Sequence, residues 1–88
     1  MDPQLRPRRA QGIEIHQLID GFVVYQPDRD RVHHFNHIAM VLLELCDGSV
    51  AAGELPGLIG AAFRLDEAPI AEVEACLRRL LEEGLVKA

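Results

Sequence analysis

The stretch that most constrains the fold of this chain runs from Phe22 to Gly48, FVVYQPDRDRVHHFNHIAMVLLELCDG. It reads as strand, tight turn, strand and helix, with no spare residues between the parts. Phe22-Val23-Val24-Tyr25 is rich in β-branched and aromatic residues, which suit a pleated, half-buried surface. Pro27-Asp28-Arg29-Asp30 is a turn: proline presets φ, and the aspartates can bond nearby backbone N–H groups. Arg31-Val32-His33-His34-Phe35 then alternates in polarity as a second strand. Asn36 is a preferred helix N-cap. Behind it, Ile38, Met40, Val41, Leu42, Leu43 and Leu45 predict a well-buried helix that Asp47-Gly48 stops.

The flanking segments extend this pattern in both directions. Ile13 to Leu18 alternates apolar and polar, as a strand with one wet face does. Asp20-Gly21 is a strong turn dipeptide, so the first three strands form a meander. After Ser49 a less regular helical segment runs from about Val50 to Phe63, with Leu55, Leu58, Ile59, Ala62 and Phe63 at helical spacing and Pro56-Gly57 near its start. The last helix is predicted to start from Asp66 as N-cap, with Glu67 at the positive end of the dipole and Pro69 in the first turn. Ile70, Val73, Leu77, Leu80 and Leu81 mark its buried face; Gly84 ends it, and Leu85-Val86 folds back as a hydrophobic clip. Residues 1–11 are polar and proline-bearing and are expected to form a flexible arm, leaving 12–88 as the domain. The order is three strands and then three helices: an α+β arrangement with a three-stranded antiparallel sheet, as in winged helix-turn-helix domains.

Composition narrows the function. With 88 residues there is room for one small core, to whose stability a partner or a second copy would add. A formal charge of −5 argues against nucleic acid, whose counterion release rewards a basic face. Arg6, Arg8 and Arg9 do cluster, but within the short arm. Cys46 and Cys76 form no CxxC and sit among apolar neighbours, as buried thiols do. Without a signal-peptide core or an apolar run long enough to span a bilayer, the expected compartment is the reducing cytoplasm.

Catalysis finds no support. His33 and His34 point to opposite faces of a strand, and with His37 they lack a carboxylate or cysteine at ligand spacing, so no metal site is expected. Ser49 is the only serine and lies in no GxSxG; Gly53, Gly57 and Gly60 lack the lysine and the strand of a phosphate loop. The pairs Glu72/Glu74 and Glu82/Glu83 read as solvated helix surface. The expectation is a non-catalytic binding module that carries no cofactor. Its third strand, Arg31 to Phe35, is placed to be a sheet edge open to strand addition.

The run DGFVVYQPDRDRVHHFNHIAMVLLELCDG, followed by a helical hairpin ending LRRLLEEGLV, resembles the PqqD-like family, also called RiPP recognition elements. The similarity spans about Gly12 to Val86. It rests on the Phe35-Asn36 step, the Leu45-Cys46-Asp47-Gly48 helix end and the terminal Glu83-Gly84-Leu85-Val86. It implies a peptide chaperone of modified-peptide (natural product) biosynthesis that binds the leader of a ribosomally made precursor. The leader would add as a strand beside the third strand, lie in the groove between it and the last helix, and be presented to a modifying enzyme, typically a radical SAM protein. On this chain the implied peptide-binding residues are Arg31, Val32, His33, His34 and Phe35 through their backbone, Val73, Cys76, Leu77 and Leu80 as apolar groove wall, and Arg79 for an acidic leader side chain. Core packing is the competing role for Val73, Leu77 and Leu80. The turn PDRDR and the end GLVKA differ from proteins of pyrroloquinoline quinone biosynthesis itself, so the resemblance implies a generic PqqD-like role. Two further readings come from the fold order: a winged-helix DNA-binding or regulatory domain using Arg78-Arg79, and a homodimer that pairs edge strands.

Overall fold

A computed structural model describes all residues, 1–88. Five strands and three α-helices follow one another as β1 (Arg8–Arg9), β2 (Glu14–Leu18), β3 (Gly21–Gln26), β4 (Arg31–Phe35), α1 (His37–Leu45), α2 (Leu55–Ala62), α3 (Ile70–Glu82) and β5 (Val86–Lys87). The expected meander is present: β2, β3 and β4 form an antiparallel sheet in sequence order, followed by the three helices of an α+β fold. A second, two-stranded sheet joins the chain ends, with Arg8 opposite Lys87 and Arg9 opposite Val86.

The turns stand close to where the residues place them, but the aspartates of the second accept no backbone N–H; Asp30 Oδ1 instead accepts from the Tyr25 hydroxyl at 3.2 Å. Pro27–Arg29 is a single 3₁₀ turn closed by Asp30, whose φ of 50° lies in the left-handed region. The first hairpin turns one residue earlier than Asp20-Gly21. Leu18 pairs with Gly21, leaving Ile19 and Asp20 as the loop. Gly21 has a different duty: a Cβ there would lie 2.7 Å from the Phe35 carbonyl oxygen of β4, so only glycine lets the strands approach this closely.

Register decides which side chains meet the helices. Phe22 pairs with Phe35, Val24 with His33 and Gln26 with Arg31, placing these six on one face. Val24 is fully buried on that face, whereas Val32 on the other is 57% exposed. The core is built from Val24 together with Met40, Leu42 and Leu43 of α1, Leu55 and Ile59 of α2, Val73, Leu77 and Leu80 of α3, and Leu85 and Val86 behind them. The one-wet-face expectation for the first strand fails. β2 is exposed along its whole length, because α1 packs against β3 and β4 and leaves the β2 edge uncovered.

Helix ends follow local rules except at α3. Asn36 caps α1 as expected, its Oδ1 accepting from the Ala39 N–H at 2.8 Å. The second helical segment is shorter than predicted: a 3₁₀ turn over Ala52–Glu54 leads into Leu55, with Pro56 in the first turn. Asp66 does not cap α3. That helix starts at Ile70 with Pro69 as its N-cap. The reason is Pro69 itself, which disfavours helical geometry at Ala68 and so forbids a helix running through Asp66-Glu67-Ala68. At the other end the Leu85 N–H bonds the Leu80 carbonyl and the Gly84 N–H the Leu81 carbonyl, a Schellman turn, with Gly84 at φ 71°.

Residues 1–11, read from the sequence as an arm, have a defined place beside α1 and β5. Pro7 is buried; the Arg9 N–H bonds the Cys46 carbonyl at 2.7 Å and the Ala10 N–H the Leu85 carbonyl at 2.8 Å. The Arg9 guanidinium donates to the Glu44 carbonyl at 2.5 Å, satisfying a carbonyl at the end of α1 that has no partner within the helix. Because the Asn36 cap satisfies an otherwise orphaned N–H, Asn36→Ala is expected to cost about 1 kcal/mol, with Asn36→Asp close to neutral. Urea unfolding checks this through a lower midpoint at unchanged slope.

Candidate functional site

The sheet order leaves β4 with β3 on one side and no strand on the other. That open edge faces α3 across a groove of about 720 Å³ lined by residues 32–36, Ile38, Ala39, Glu72, Ala75, Cys76, Arg79, Leu80, Glu83 and Leu85. Local sequence explains both walls. β4 ends at Asn36, which turns the chain directly into α1, so Ile38 and Ala39 close one end. Along α3, Glu72, Ala75, Cys76, Arg79 and Glu83 recur at three- and four-residue steps and therefore share a face.

Of the ten expected peptide-binding residues, the structure brings seven together here: Val32, His33, His34, Phe35, Cys76, Arg79 and Leu80. Val73 and Leu77 are each 1% exposed and belong to the core, so they form no groove wall. Leu80 is also buried in the core cluster and reaches the groove at its floor. Arg31 stands at the mouth, its Nη1 bonding the Glu83 carboxylate at 2.9 Å. The sequence reading missed Asn36, Ile38, Ala39, Glu72, Ala75, Glu83 and Leu85 as groove residues. The available signal was the polar and small-residue stripe one step around α3 from the apolar one.

A chain of polar groups fixes the distance between the walls. Gln26 is 5% exposed, the one polar side chain in the core. Its Nε2 donates to the Glu83 carbonyl at 2.9 Å, and its Oε1 faces His33 Nε2 at 2.7 Å, which makes that ring nitrogen the N–H donor. Arg29 Nη1 donates to the same Glu83 carbonyl at 2.9 Å. The C-terminus of α3 is thereby tied to β3, to the turn after it and to β4.

The titrating groups of the groove are set by burial. Burial pushes the Cys76 thiol up, with Arg79 pulling it the other way, and Cys46 is pushed up to about 11. Both stay protonated near neutrality and serve as packing rather than as nucleophiles. His34 lies on the opposite sheet face from His33, and His37 lies edge-on to Phe22 with ring centroids 5.3 Å apart, so the three imidazoles do not converge.

Burial lowers the His33 pKa below its ordinary 6.5; Arg31 and Arg79 add to this and Glu83 opposes it. The unfolded chain therefore takes up this proton more readily than the fold does. The stability that neutral His33 provides is full above pH 6.5 and is lost as pH falls through the lowered native value. His33→Gln is expected to flatten the decline of the urea midpoint below about pH 6.5. Equal slopes in the two proteins would contradict the assignment.

With this geometry in place, comparison with known proteins adds one match. The family model described as PqqD, coenzyme PQQ synthesis protein D, matches residues 21–86, from the first residue of β3 to β5. No curated protein and no solved structure gives a significant match. The matched segment holds β4, α3 and every residue that lines the groove between them. The chain belongs to the PqqD family, accessory proteins of coenzyme PQQ and related modified-peptide biosynthesis that work with a peptide and with biosynthetic enzymes.

Proposed function

We propose that this protein binds the leader segment of a ribosomally made precursor peptide as an added strand along β4 and presents it to a modifying enzyme of the radical SAM class. The observation that carries the reading is the open edge of β4 beside a groove with an apolar floor. A five-residue strand is about 17 Å long, enough for a short extended segment to exchange backbone hydrogen bonds over its length.

Magnitudes indicate what the groove must add. Each new backbone hydrogen bond is worth about 0.5–1.5 kcal/mol net. Association costs about 4 kcal/mol or more in lost freedom. Strand pairing alone thus gives weak, unselective binding. Selectivity then falls to leader side chains that reach Phe35, Ile38, Cys76 and Leu80 and that pair with Arg79, which has no carboxylate within salt-bridge distance. Arg79 looks into the groove, so the pair Arg78-Arg79 does not offer one continuous outward basic face for duplex DNA.

The test uses the precursor peptide encoded by a neighbouring reading frame, labelled for fluorescence anisotropy. Ala75 is an exposed groove residue, so Ala75→Trp fills the groove without touching the core. It is expected to weaken binding about tenfold or more, ~1.4 kcal/mol, whereas Leu58→Ala on α2 leaves the affinity unchanged. Unaltered binding by Ala75→Trp would overturn the reading. Salt-sensitive binding to duplex DNA in place of the peptide would favour a nucleic-acid role.

A further inference from the structure

A second cavity, of about 500 Å³, lies between β1, β5 and the turn after β3, the turn that leads into Arg31 of β4. Its lining carries four of the chain's nine lysines and arginines, Arg8, Arg9, Arg29 and Lys87, against a single acid, Asp28. In a protein of net charge −5 this is a marked segregation of charge. None of these cations has a carboxylate within ion-pair distance, although Arg9 acts on the nearby Asp47 carboxylate. Arg9 and Arg29 are held by the carbonyls of Glu44 and Glu83 at the C-terminal ends of α1 and α3, whose partial negative charge offsets only part of that of each guanidinium.

The two cavities share a wall. Glu83 lines the groove and its neighbour Gly84 lines the basic pocket, while Gln26 lines the pocket and bonds to His33 of the groove. β4 begins at Arg31, directly after the Pro27–Arg29 turn that lines the basic pocket, so a peptide leaving β4 past Arg31 passes that turn. We infer that the basic pocket binds a carboxylate-rich segment of the same precursor, the flank that continues from the strand held along β4. This rests on the strand-addition reading above and adds to it a substrate class: precursors with acidic residues on that one flank. Carboxylates match the site because spread-out arginines and a lysine satisfy several single negative charges along a chain.

The test uses NMR on the full-length labelled protein with two probes. Blocked tetraglutamate, with blocked tetraglutamine as control, reports ligand class. It is expected to shift the amides of residues 8–10 and 84–87 and the Arg29 side chain, whereas tetraglutamine shifts none of them. The precursor encoded beside the protein reports continuity, and is expected to shift residues 31–35 and 84–87 together. The double variant Arg8→Gln, Lys87→Gln alters two exposed side chains and leaves their backbone pairing intact. It should weaken precursor binding about fivefold and remove most of the loss of affinity seen when salt rises from about 20 to about 300 mM.

Failure of the inference and failure of the underlying reading look different. Shifts at 31–35 with equal binding by the double variant overturn the basic-pocket assignment and leave strand addition standing. Tetraglutamate shifts confined to the groove around Arg79 overturn it too, as does a response to inorganic phosphate without one to tetraglutamate. A precursor that shifts neither region overturns both.

Discussion

The carbonyl of Glu83 is the point on which the arrangement depends. It is the last carbonyl before the chain reverses at Gly84, and it accepts hydrogen bonds from Gln26 of β3 and from Arg29 of the turn after it. The reversal needs the left-handed φ of 71° that glycine tolerates at Gly84. A Cβ there would also lie 2.6 Å from Arg29 Nη2, so a larger residue would have to displace the guanidinium that bonds the Glu83 carbonyl. One helix end is thus clamped to the sheet at a set distance. The gap between β4 and α3 is the consequence, because β4 is placed by its register with β3 and α3 by this clamp.

The same clamp explains how so small a core supports an open groove. Val73 and Leu77 turn toward α1 and α2, and Leu80 and Leu85 close the floor, so the apolar stripe of α3 is nearly used up in holding the fold. What is left for the groove is the adjacent stripe of Glu72, Ala75, Cys76, Arg79 and Glu83. A small residue in its middle and charges at its ends suit a ligand whose backbone does the pairing and whose side chains choose the register. The half-buried Cys76 fits this inert role, because protonated sulfur adds contact area without reactivity.

Much of this was legible in the chain wherever short-range chemistry governs. The Asn36 cap, the Pro27–Asp30 turn, the glycine at Gly84 and the strand-strand-helix order are each set by a few consecutive residues, and each stands in the structure as read. The membership first suggested by resemblance is carried by the match over residues 21–86. What was not legible depends on distant partners. Two-residue strands joining Arg8-Arg9 to Val86-Lys87 leave no periodic trace, and the hydrogen bonds from Gln26 and Arg29 to Glu83 join the β3–β4 hairpin to a helix end far away in sequence. The α3 wall was misjudged for a physical reason. Apolar side chains at helical spacing are claimed first by the core, so a groove on the same helix is built from the stripe beside them.

The central claim is that β4 is an acceptor edge for a peptide strand, and amide hydrogen exchange of residues 31–35 tests it most directly. Strand addition gives the outward-facing N–H groups of β4 new acceptors, so alternate amides in this run should become strongly protected when the precursor is bound. Those already bonded to β3 should change little. If the precursor binds but protection appears only on α3, or is spread evenly over the protein, the peptide does not pair with β4 and the account is wrong.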